Sequence, residues 1–111
     1  MVRKIIFYEN HFIEFYQSQN DKVKSKIQYV FELIKQVERV PEKFLKHIEG
    51  TEGLYEIRVE FQSNIFRIFC CFDEERLVVL FNGFQKKTQK TPKNELEKAE
   101  RLMKEYFQTK K

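Results

Sequence analysis

The sequence is poor in the residues that mark several classes of protein. It contains only 3 Gly and 2 Pro among 111 residues, which is too few turn formers for a loop-rich scaffold. A hydrophobic content of 41% is too high for a disordered chain. Cys70 and Cys71 are adjacent, so they neither close a long loop nor provide a C-x-x-C spacing. We expect both to be reduced residues of a core or a sheet.

Segments for export, membrane insertion or metal binding are also lacking. No apolar run approaches the roughly 20 residues that span a bilayer, and the run Ile5–Tyr8 ends at Glu9, far short of a signal-peptide core. His11 and His47 have no Cys or second His at ligand spacing. These absences predict a cytoplasmic protein without membrane contact, metal or cofactor. The length predicts one domain over residues 1–111.

Positive charge is concentrated near the C-terminal end. The net charge is +4, but residues 82–111 contain nine Lys or Arg against four Asp or Glu, so this segment carries +5 and the rest carries −1. A local excess of this kind favours a polyanionic partner. A solvated lysine-rich helix is the alternative, since it has the same composition.

Hydrophobic periodicity predicts the order strand, two helices, three strands, helix. The predicted strands are Val2–Tyr8, Leu54–Phe61, Ile65–Phe72 and Leu77 to about Phe84. The predicted helix caps are Asn10, Asp21 and Thr91, and the second helix has an apolar stripe of Val23, Ile27, Val30, Ile34 and Val37. The segment around His47 is expected to be a loop. This order predicts an α+β fold in which helices cover one face of an antiparallel sheet and leave the other partly open.

Two arginines are predicted to face each other in this sheet. A hairpin centred on residues 62–63 pairs Arg58 with Arg67 on the side away from the predicted core. Like charges so placed destabilise a sheet, since their Cβ atoms are only about 4.5–5.5 Å apart. Stability alone therefore does not explain the pair. Glu56 and Glu60 lie on the same face, and a surface salt-bridge cluster remains the alternative for either arginine alone.

A second hairpin, centred on residues 74–75, extends this face. It pairs Arg67 with Asn82 in the predicted register and adds further side chains to the same side, namely Phe84, Lys86 and Phe69. Cations bind phosphates, and aromatic rings stack on bases. The combination is typical of a nucleic-acid surface, so we predict RNA contacts by Asn82, Phe84 and Phe69.

A lysine-rich tract, Lys86–Lys93, follows the last strand. It contains four lysines and no acidic residue, directly before a predicted helix N-terminus, where cations are unfavourable. A bound phosphate would remove this conflict, whereas the alternative is a solvated loop. Together with the arginine face, the tract favours anion binding and makes Lys90 a further candidate RNA-binding residue.

Three segments of the chain form a recognisable series of motifs. They are Gly53–Arg58 (G-L-Y-E-I-R), Phe66–Ile68 (F-R-I) and Val79–Pro92 (V-L-F-N-G-F-Q-K-K-T-Q-K-T-P). In this order and spacing they resemble HigB-like toxins of the RelE/ParE superfamily. The resemblance implies a compact fold in which two helices pack on one face of a twisted antiparallel sheet. It also implies ribosome-dependent cleavage of mRNA and neutralisation by an antitoxin, often one with a helix-turn-helix domain that contacts operator DNA.

The resemblance implies the functional set Arg58, Arg67, Lys86 and Lys87. Two departures leave the proton-transfer groups open: Asn82 stands where a histidine is common, and a terminal tyrosine of the RelE type is missing. The superfamily also contains ParE-like toxins, which bind gyrase and have no nuclease activity. A gyrase-binding toxin and a non-catalytic RNA-binding module are therefore the alternative functions.

A metal-independent mechanism fits these residues as a hypothesis. RNA is cleaved when its own 2′-hydroxyl is deprotonated and held in line with the neighbouring phosphate. Arg58 and Arg67 would hold that phosphate and stabilise its additional negative charge. Lys86 or Lys87 would transfer the proton, because nearby arginines lower the pKa of a lysine and bring it closer to acting as a base. Adjacent strand residues point to opposite sides, and the register favours Lys86.

Overall fold

The computed structural model describes residues 2–87 and 90–110. Within these ranges the chain forms five strands and three helices, in the order β1 (Lys4–Phe7), α1 (His11–Gln17), α2 (Asp21–Gln36), β2 (Leu45–His47), β3 (Tyr55–Phe61), β4 (Asn64–Asp73), β5 (Leu77–Lys86) and α3 (Lys93–Thr109). The order differs from the predicted one by an additional strand, β2. The expectation of a loop around His47 is wrong, because Leu45–His47 pairs with β3.

The strands form one mixed sheet in the order β1-β5-β4-β3-β2. β1 is parallel to β5, and the other neighbours are antiparallel. The longest strands, β4 and β5, therefore lie at the centre of the sheet, and the two shortest form its edges. Short edge strands limit unwanted pairing with other chains.

Helices cover both faces of the sheet, so the prediction that they share one face is wrong. Alternate residues of β4 belong to different clusters, with Cys70 on the α1/α2 side and Cys71 on the α3 side. The α1/α2 cluster contains Phe12, Val23, Ile27, Val30, Phe31, Ile34, Ile57, Val59, Phe66, Ile68, Cys70, Val78 and Leu80. The α3 cluster contains Leu54, Phe69, Cys71, Val79, Phe81, Phe84, Ala99 and Leu102. The nearly continuous apolar runs of β4 and β5 are typical of strands that are buried on both faces.

The cysteine prediction is confirmed, because both thiols are free and lie in buried positions of β4. Burial raises the pKa of Cys70 and that of Cys71. None of the helices in the described ranges has the length and apolar character that crossing a membrane requires.

Two of the three predicted helix caps are wrong by one residue. Asn20 caps α2, because its side chain accepts a hydrogen bond of 2.9 Å from the backbone N–H of Val23, and Asp21 is already the first helical residue. Asn10 occupies the predicted capping position of α1, but its side chain makes no capping hydrogen bond. Thr91 does not cap α3 either, because the capping position is one residue later. A helix boundary is usually uncertain by one or two residues when it is predicted from the sequence.

The apolar stripe of α2 is confirmed except at its end. The first four predicted positions are buried, together with Phe31. Val37 is 39% exposed because the helix ends at Gln36 and Val37 has extended backbone angles. The stripe therefore ends at Ile34.

The register of β3 against β4 is the predicted one. Arg58 lies directly opposite Arg67, and the apolar pairs beside them are Ile57 with Ile68 and Val59 with Phe66. The apolar pairs belong to the α1/α2 cluster. Because neighbouring strand residues point to opposite sides, both arginines lie on the α3 side of the sheet.

The predicted register of β5 is wrong by one residue at the hairpin. Phe72 lies opposite Val78 rather than Leu77. A shift of one residue exchanges the faces of a strand. The predicted register pairs Leu80 with Phe69 on the open face, but Leu80 is buried under α1 and α2.

A β-bulge in the middle of the β4–β5 pair returns the end of β5 to the predicted face of the sheet. The irregularity lies between Ile68 and Cys70, and beyond it Arg67 is opposite Phe84 rather than Asn82. A bulge adds one residue to one strand and exchanges the faces of the residues that follow. The end of β5 therefore lies on the predicted side, although the predicted register contains no bulge.

Gly83 lets α1 pack closely on β5. A Cβ atom at this position would lie 2.6 Å from Cδ2 of Phe15 and 2.9 Å from two further atoms of the same ring. We expect Gly83→Ala to lower the free energy of unfolding by about 1–3 kcal/mol, the usual effect of overpacking. Chemical denaturation measures this loss. The double variant Gly83→Ala/Phe15→Leu should lose less than the sum of the single variants, and full additivity would contradict the proposed clash.

Asp73 fastens the end of α3 to the end of β4. The Tyr106 hydroxyl donates to Asp73 Oδ2 at 2.6 Å, and Lys110 Nζ donates to both carboxylate oxygens at 2.8 Å. The hydrogen bonds from Lys110 and Tyr106 lower the pKa of Asp73. The hydrogen bond to Asp73 and burial together raise the pKa of Tyr106 to about 12.

This contact makes stability depend on acidic pH. Because the folded pKa of Asp73 is lowered, its contribution is fully present above the ordinary aspartate pKa and is lost as the pH falls through the folded value. We expect Asp73→Asn to unfold at lower denaturant concentration at pH 7 and to show a weaker acid dependence. Urea midpoints between pH 7 and pH 2 test this. A variant with the same acid dependence as the unmodified protein would contradict it.

Candidate anion-binding site

Five charged residues on the α3 side of the sheet form what we call the arginine site: Glu56, Arg58, Glu60, Arg67 and Lys86. The strand registers arrange them in three successive rows across the sheet, with Glu60, Ile65 and Lys86 in the first, Arg58, Arg67 and Phe84 in the second, and Glu56 and Phe69 in the third. The two arginines thus occupy the middle row. Glu56 and Lys86 lie on opposite sides of them, at diagonal corners.

Each arginine contacts a glutamate. Arg67 is in direct contact with Glu56, and their side chains are only 13% and 15% exposed. Arg58 lies 3.4 Å from Glu60, whose side chain is 56% exposed. The salt-bridge cluster considered as an alternative is therefore present. The exposed pair with Glu60 contributes little to stability, because solvent screens such pairs.

The glutamates leave part of each guanidinium without a partner. The Nε atoms of Arg58 and Arg67 are both buried and have no hydrogen-bond partner among the described residues. Leaving a buried donor unsatisfied costs about 1–3 kcal/mol, and more for a charged group. Salt bridging alone therefore does not explain the arrangement. Both Nε atoms are closed to solvent, so an anion would be held by the outer guanidinium nitrogens; the Arg58 side chain is 33% exposed and that of Arg67 is 13% exposed.

Burial and neighbouring charges change the acidity of the cations. Burial lowers the pKa of Arg67, although an arginine guanidinium stays protonated in proteins. Burial also lowers the pKa of Lys86, and repulsion by Arg67 and then Arg58 adds to the effect. The predicted direction for Lys86 is confirmed, but burial rather than repulsion is its largest cause. Both neighbouring arginines act on Lys86, so the three cations form one electrostatic unit.

The other two candidate lysines, Lys87 and Lys90, lie beyond the last residue of β5. Lys87 follows the end of β5 and is exposed, and Lys90 is exposed in a bend before α3. Thr88 and Gln89 of the lysine-rich tract lie outside the described residues. The phosphate-binding role of this tract therefore stays a prediction.

A groove of about 320 Å³ lies beside the two arginines. Its walls are Glu42, Lys43, Lys46, Glu56, Arg58 and Arg67. Lys46 belongs to β2, and its pairing with Glu56 brings it next to the arginine site. Sequence reasoning missed Lys43 and Lys46, because a three-residue strand has no recognisable period. The only signal was their positive charge shortly before the predicted strand Leu54–Phe61.

Three of the predicted RNA-contacting residues are buried, so the prediction that they lie on an open surface is wrong. Phe69 is 0% exposed and Phe84 is 8% exposed, and their rings pack against each other under α3. Asn82 is 2% exposed, and its Nδ2 donates to the backbone oxygen of Glu95 at 3.1 Å and to its Oε1 at 3.0 Å. These side chains hold α3 on the sheet. The buried rings of Phe69 and Phe84 therefore cannot stack on an RNA base.

The histidines take part in local contacts. His11 Nε2 lies 3.1 Å from a carboxylate oxygen of Glu9, and the His47 ring packs edge-on against Tyr55. Among the described residues, no group of three or more His, Cys, Asp or Glu side chains could hold a metal ion.

Comparison with solved structures defines the fold. The chain is similar to the archaeal RelE-RelB complex from Pyrococcus horikoshii OT3, with a TM-score of 0.50, 19% sequence identity, and coverage of 75% of this chain and 93% of that chain. The mixed α+β architecture is thus shared with RelE. The profile of the family described as Phage derived protein Gp49-like (DUF891) matches residues 14–104, so the chain belongs to the Gp49-like family. No curated protein matches the sequence significantly.

Proposed function

We propose that the chain is the toxin of a type II toxin–antitoxin pair and that it cleaves mRNA on the ribosome. Membership of the Gp49-like family and the RelE-like fold support a toxin of this superfamily. The segments Gly53–Arg58 and Phe66–Ile68 support the HigB-like branch. The observation that carries the nuclease activity is the opposed arginine pair, which lines a groove of about 320 Å³.

The site performs metal-independent cleavage by positioning and charge stabilisation. Arg58 and Arg67 hold the scissile phosphate, since guanidinium groups match phosphate geometry better than ammonium groups do. They also stabilise the negative charge that develops when the 2′-hydroxyl attacks. Lys86 transfers a proton, because it is next to both arginines and its pKa is lowered. Lys87 and Lys90 bind phosphates of the flanking RNA from the exposed end of the site.

The partners follow from the same proposal. A cognate antitoxin neutralises the chain, as a positively charged face that is free to bind RNA needs to be covered in the growing cell. The solved relative is itself a complex of RelE with RelB. An antitoxin with a helix-turn-helix domain connects the pair to operator DNA. The ribosome, mRNA and antitoxin place the activity in the cytoplasm.

A reconstituted translation mixture tests the proposal. We expect the purified chain to shorten a defined message only when ribosomes translate it, and to leave the same RNA intact without ribosomes. A ParE-like toxin or a non-catalytic RNA-binding module would leave the message intact in both cases. A gyrase supercoiling assay separates those two alternatives, because only a gyrase-binding toxin inhibits supercoiling.

A further inference from the structure

We propose that Glu56 is the catalytic base of the arginine site and that Lys86 is the matching acid. This inference rests on the proposed RNA cleavage and assigns its two proton transfers to named groups. In the attack step, the 2′-hydroxyl gives its proton to a Glu56 carboxylate oxygen, and the 2′-oxygen bonds to phosphorus. In the same step the bond to the 5′-oxygen breaks, and this oxygen takes a proton from Lys86 Nζ. The products are a 2′,3′-cyclic phosphate and a 5′-hydroxyl.

The arrangement of the three rows fits an in-line displacement at the phosphorus atom. Attacking and leaving oxygens lie on opposite sides of the phosphorus, so base and acid have to approach a bound phosphate from opposite sides. The arginines that hold the phosphate are in the middle row, and Glu56 and Lys86 are in the rows on either side of it. Successive rows on one face of a strand are about 7 Å apart. Glutamate and lysine side chains from the outer rows can therefore reach a group held in the middle.

The charge states fit these roles. A lysine is an ammonium at neutral pH, so it enters the reaction with a proton to give. Burial and the arginines lower the pKa of Lys86 and thereby make it a stronger acid. A carboxylate is ionised at neutral pH, so Glu56 can accept a proton at the start of the reaction. The contact with Arg67 also holds the carboxylate at the wall of the groove.

The other carboxylates near the site fit less well. Glu60 lies in the same row as Lys86, so base and acid would approach from one side. Its side chain is 56% exposed, against 15% for Glu56. Glu42 lines the groove but is exposed and lies before β2. Glu56 is thus the only one of the three that is both largely buried and placed opposite Lys86.

An RNA substrate with a different leaving atom distinguishes the role of the base from that of the acid. We propose to use a message with a sulfur atom in place of the bridging 5′-oxygen at the cleavage site, translated by ribosomes in a reconstituted mixture. A thiolate leaves without a proton, so this substrate needs a base but no acid. Glu56→Gln is a suitable variant, because its amide oxygen can still accept a hydrogen bond from Arg67 but cannot take up a proton.

The roles predict different responses. Glu56→Gln should cleave both the oxygen and the sulfur substrate about 10²-fold or more slower than the unmodified protein, the usual effect of losing a general base. Lys86→Ala should show a similar loss on the oxygen substrate but stay within about tenfold of the unmodified protein on the sulfur substrate. Glu56→Asp, which keeps a proton acceptor, should be faster than Glu56→Gln. Thermal unfolding of each variant monitors folding.

The controls distinguish failure of this inference from failure of the proposed function. Glu38→Gln removes a carboxylate that contacts an arginine outside the arginine site, namely the exposed Arg76, and should lose no more than about threefold in rate. Full activity of Glu56→Gln would overturn the assignment, and so would its rescue by the sulfur substrate. If the unmodified protein leaves both messages intact, the proposed function itself is wrong.

Discussion

Replacing Arg67 with Ala is expected to slow ribosome-dependent mRNA cleavage by about 10²–10³-fold, the usual effect of removing one group that stabilises the developing charge. Growth inhibition by the expressed chain should disappear with it. The physical reason is the position of Arg67 in the middle row, opposite Arg58 and at the wall of the groove. Single-turnover cleavage on programmed ribosomes measures the effect. Arg67→Lys should lose most of the rate as well, because a lysine ammonium group cannot form the two parallel hydrogen bonds that a planar guanidinium donates to a phosphate.

The expected loss does not come from unfolding. Removing one of two opposed like charges stabilises the sheet by roughly 0.2–1 kcal/mol, whereas leaving Glu56 without its partner costs about 1–3 kcal/mol. The net effect is a modest destabilisation that a folded domain tolerates. Arg101→Ala is the matched control, since Arg101 is 62% exposed on α3 and its removal changes the net charge equally. Unchanged cleavage by Arg67→Ala, or equal losses in both variants, would contradict a phosphate-binding role.

The second large effect is expected from Lys86→Ala, which should slow cleavage by about 10²-fold or more as a proton-transfer group is lost. Lys87→Ala changes the same residue type one position later, on an exposed side chain beyond the strand. We expect only a small loss there, from one weaker phosphate contact. Equal losses in the two variants would show that the tract acts through its total charge.

The pH dependence of the cleavage rate tests whether the arginines lower the pKa of Lys86. If Lys86 donates a proton, the cleavage rate falls as the pH rises through its pKa. Repulsion by Arg58 is one of the causes that lower this pKa. We therefore expect Arg58→Ala, measured on its residual activity, to move the descending limb of the profile to higher pH. A shift to lower pH would contradict the assignment.

The sequence was sufficient to pair the two arginines correctly. The turn between β3 and β4 is short, and the apolar positions on both strands alternate in step, so one register satisfies both. Arg58 and Arg67 then have to face each other on the other side. The same alternation identified the buried stripe of α2, where a long helix repeats the signal over several turns.

The second hairpin could not be placed from the sequence in the same way. Both faces of β4 and β5 are apolar, so a register shifted by one residue buries equally suitable side chains. The bulge near Phe69 left no pattern that differs from a regular strand. For this reason Asn82 and Phe84 were expected on an open surface, although they support α3. Continuous apolar runs were a usable sign that a helix covers the second face.

The role that we propose for Glu56 could not be predicted from the sequence either. Glu56 was recognised as a neighbour of the arginines, but a count of charges gives it the same role as Glu60. Only the strand registers and the difference in exposure separate the two. Lys46 was missed for a related reason, since its proximity to Arg58 depends on a strand of three residues.

Chemical analysis of the fragment ends is the most direct test of an arginine site that promotes attack by the 2′-hydroxyl. Message cut in the reconstituted translation mixture should carry a 2′,3′-cyclic phosphate on the upstream fragment and a 5′-hydroxyl on the downstream one. Fragments with a 3′-hydroxyl and a 5′-phosphate, or a message that stays whole in the presence of fully toxic protein, would contradict it.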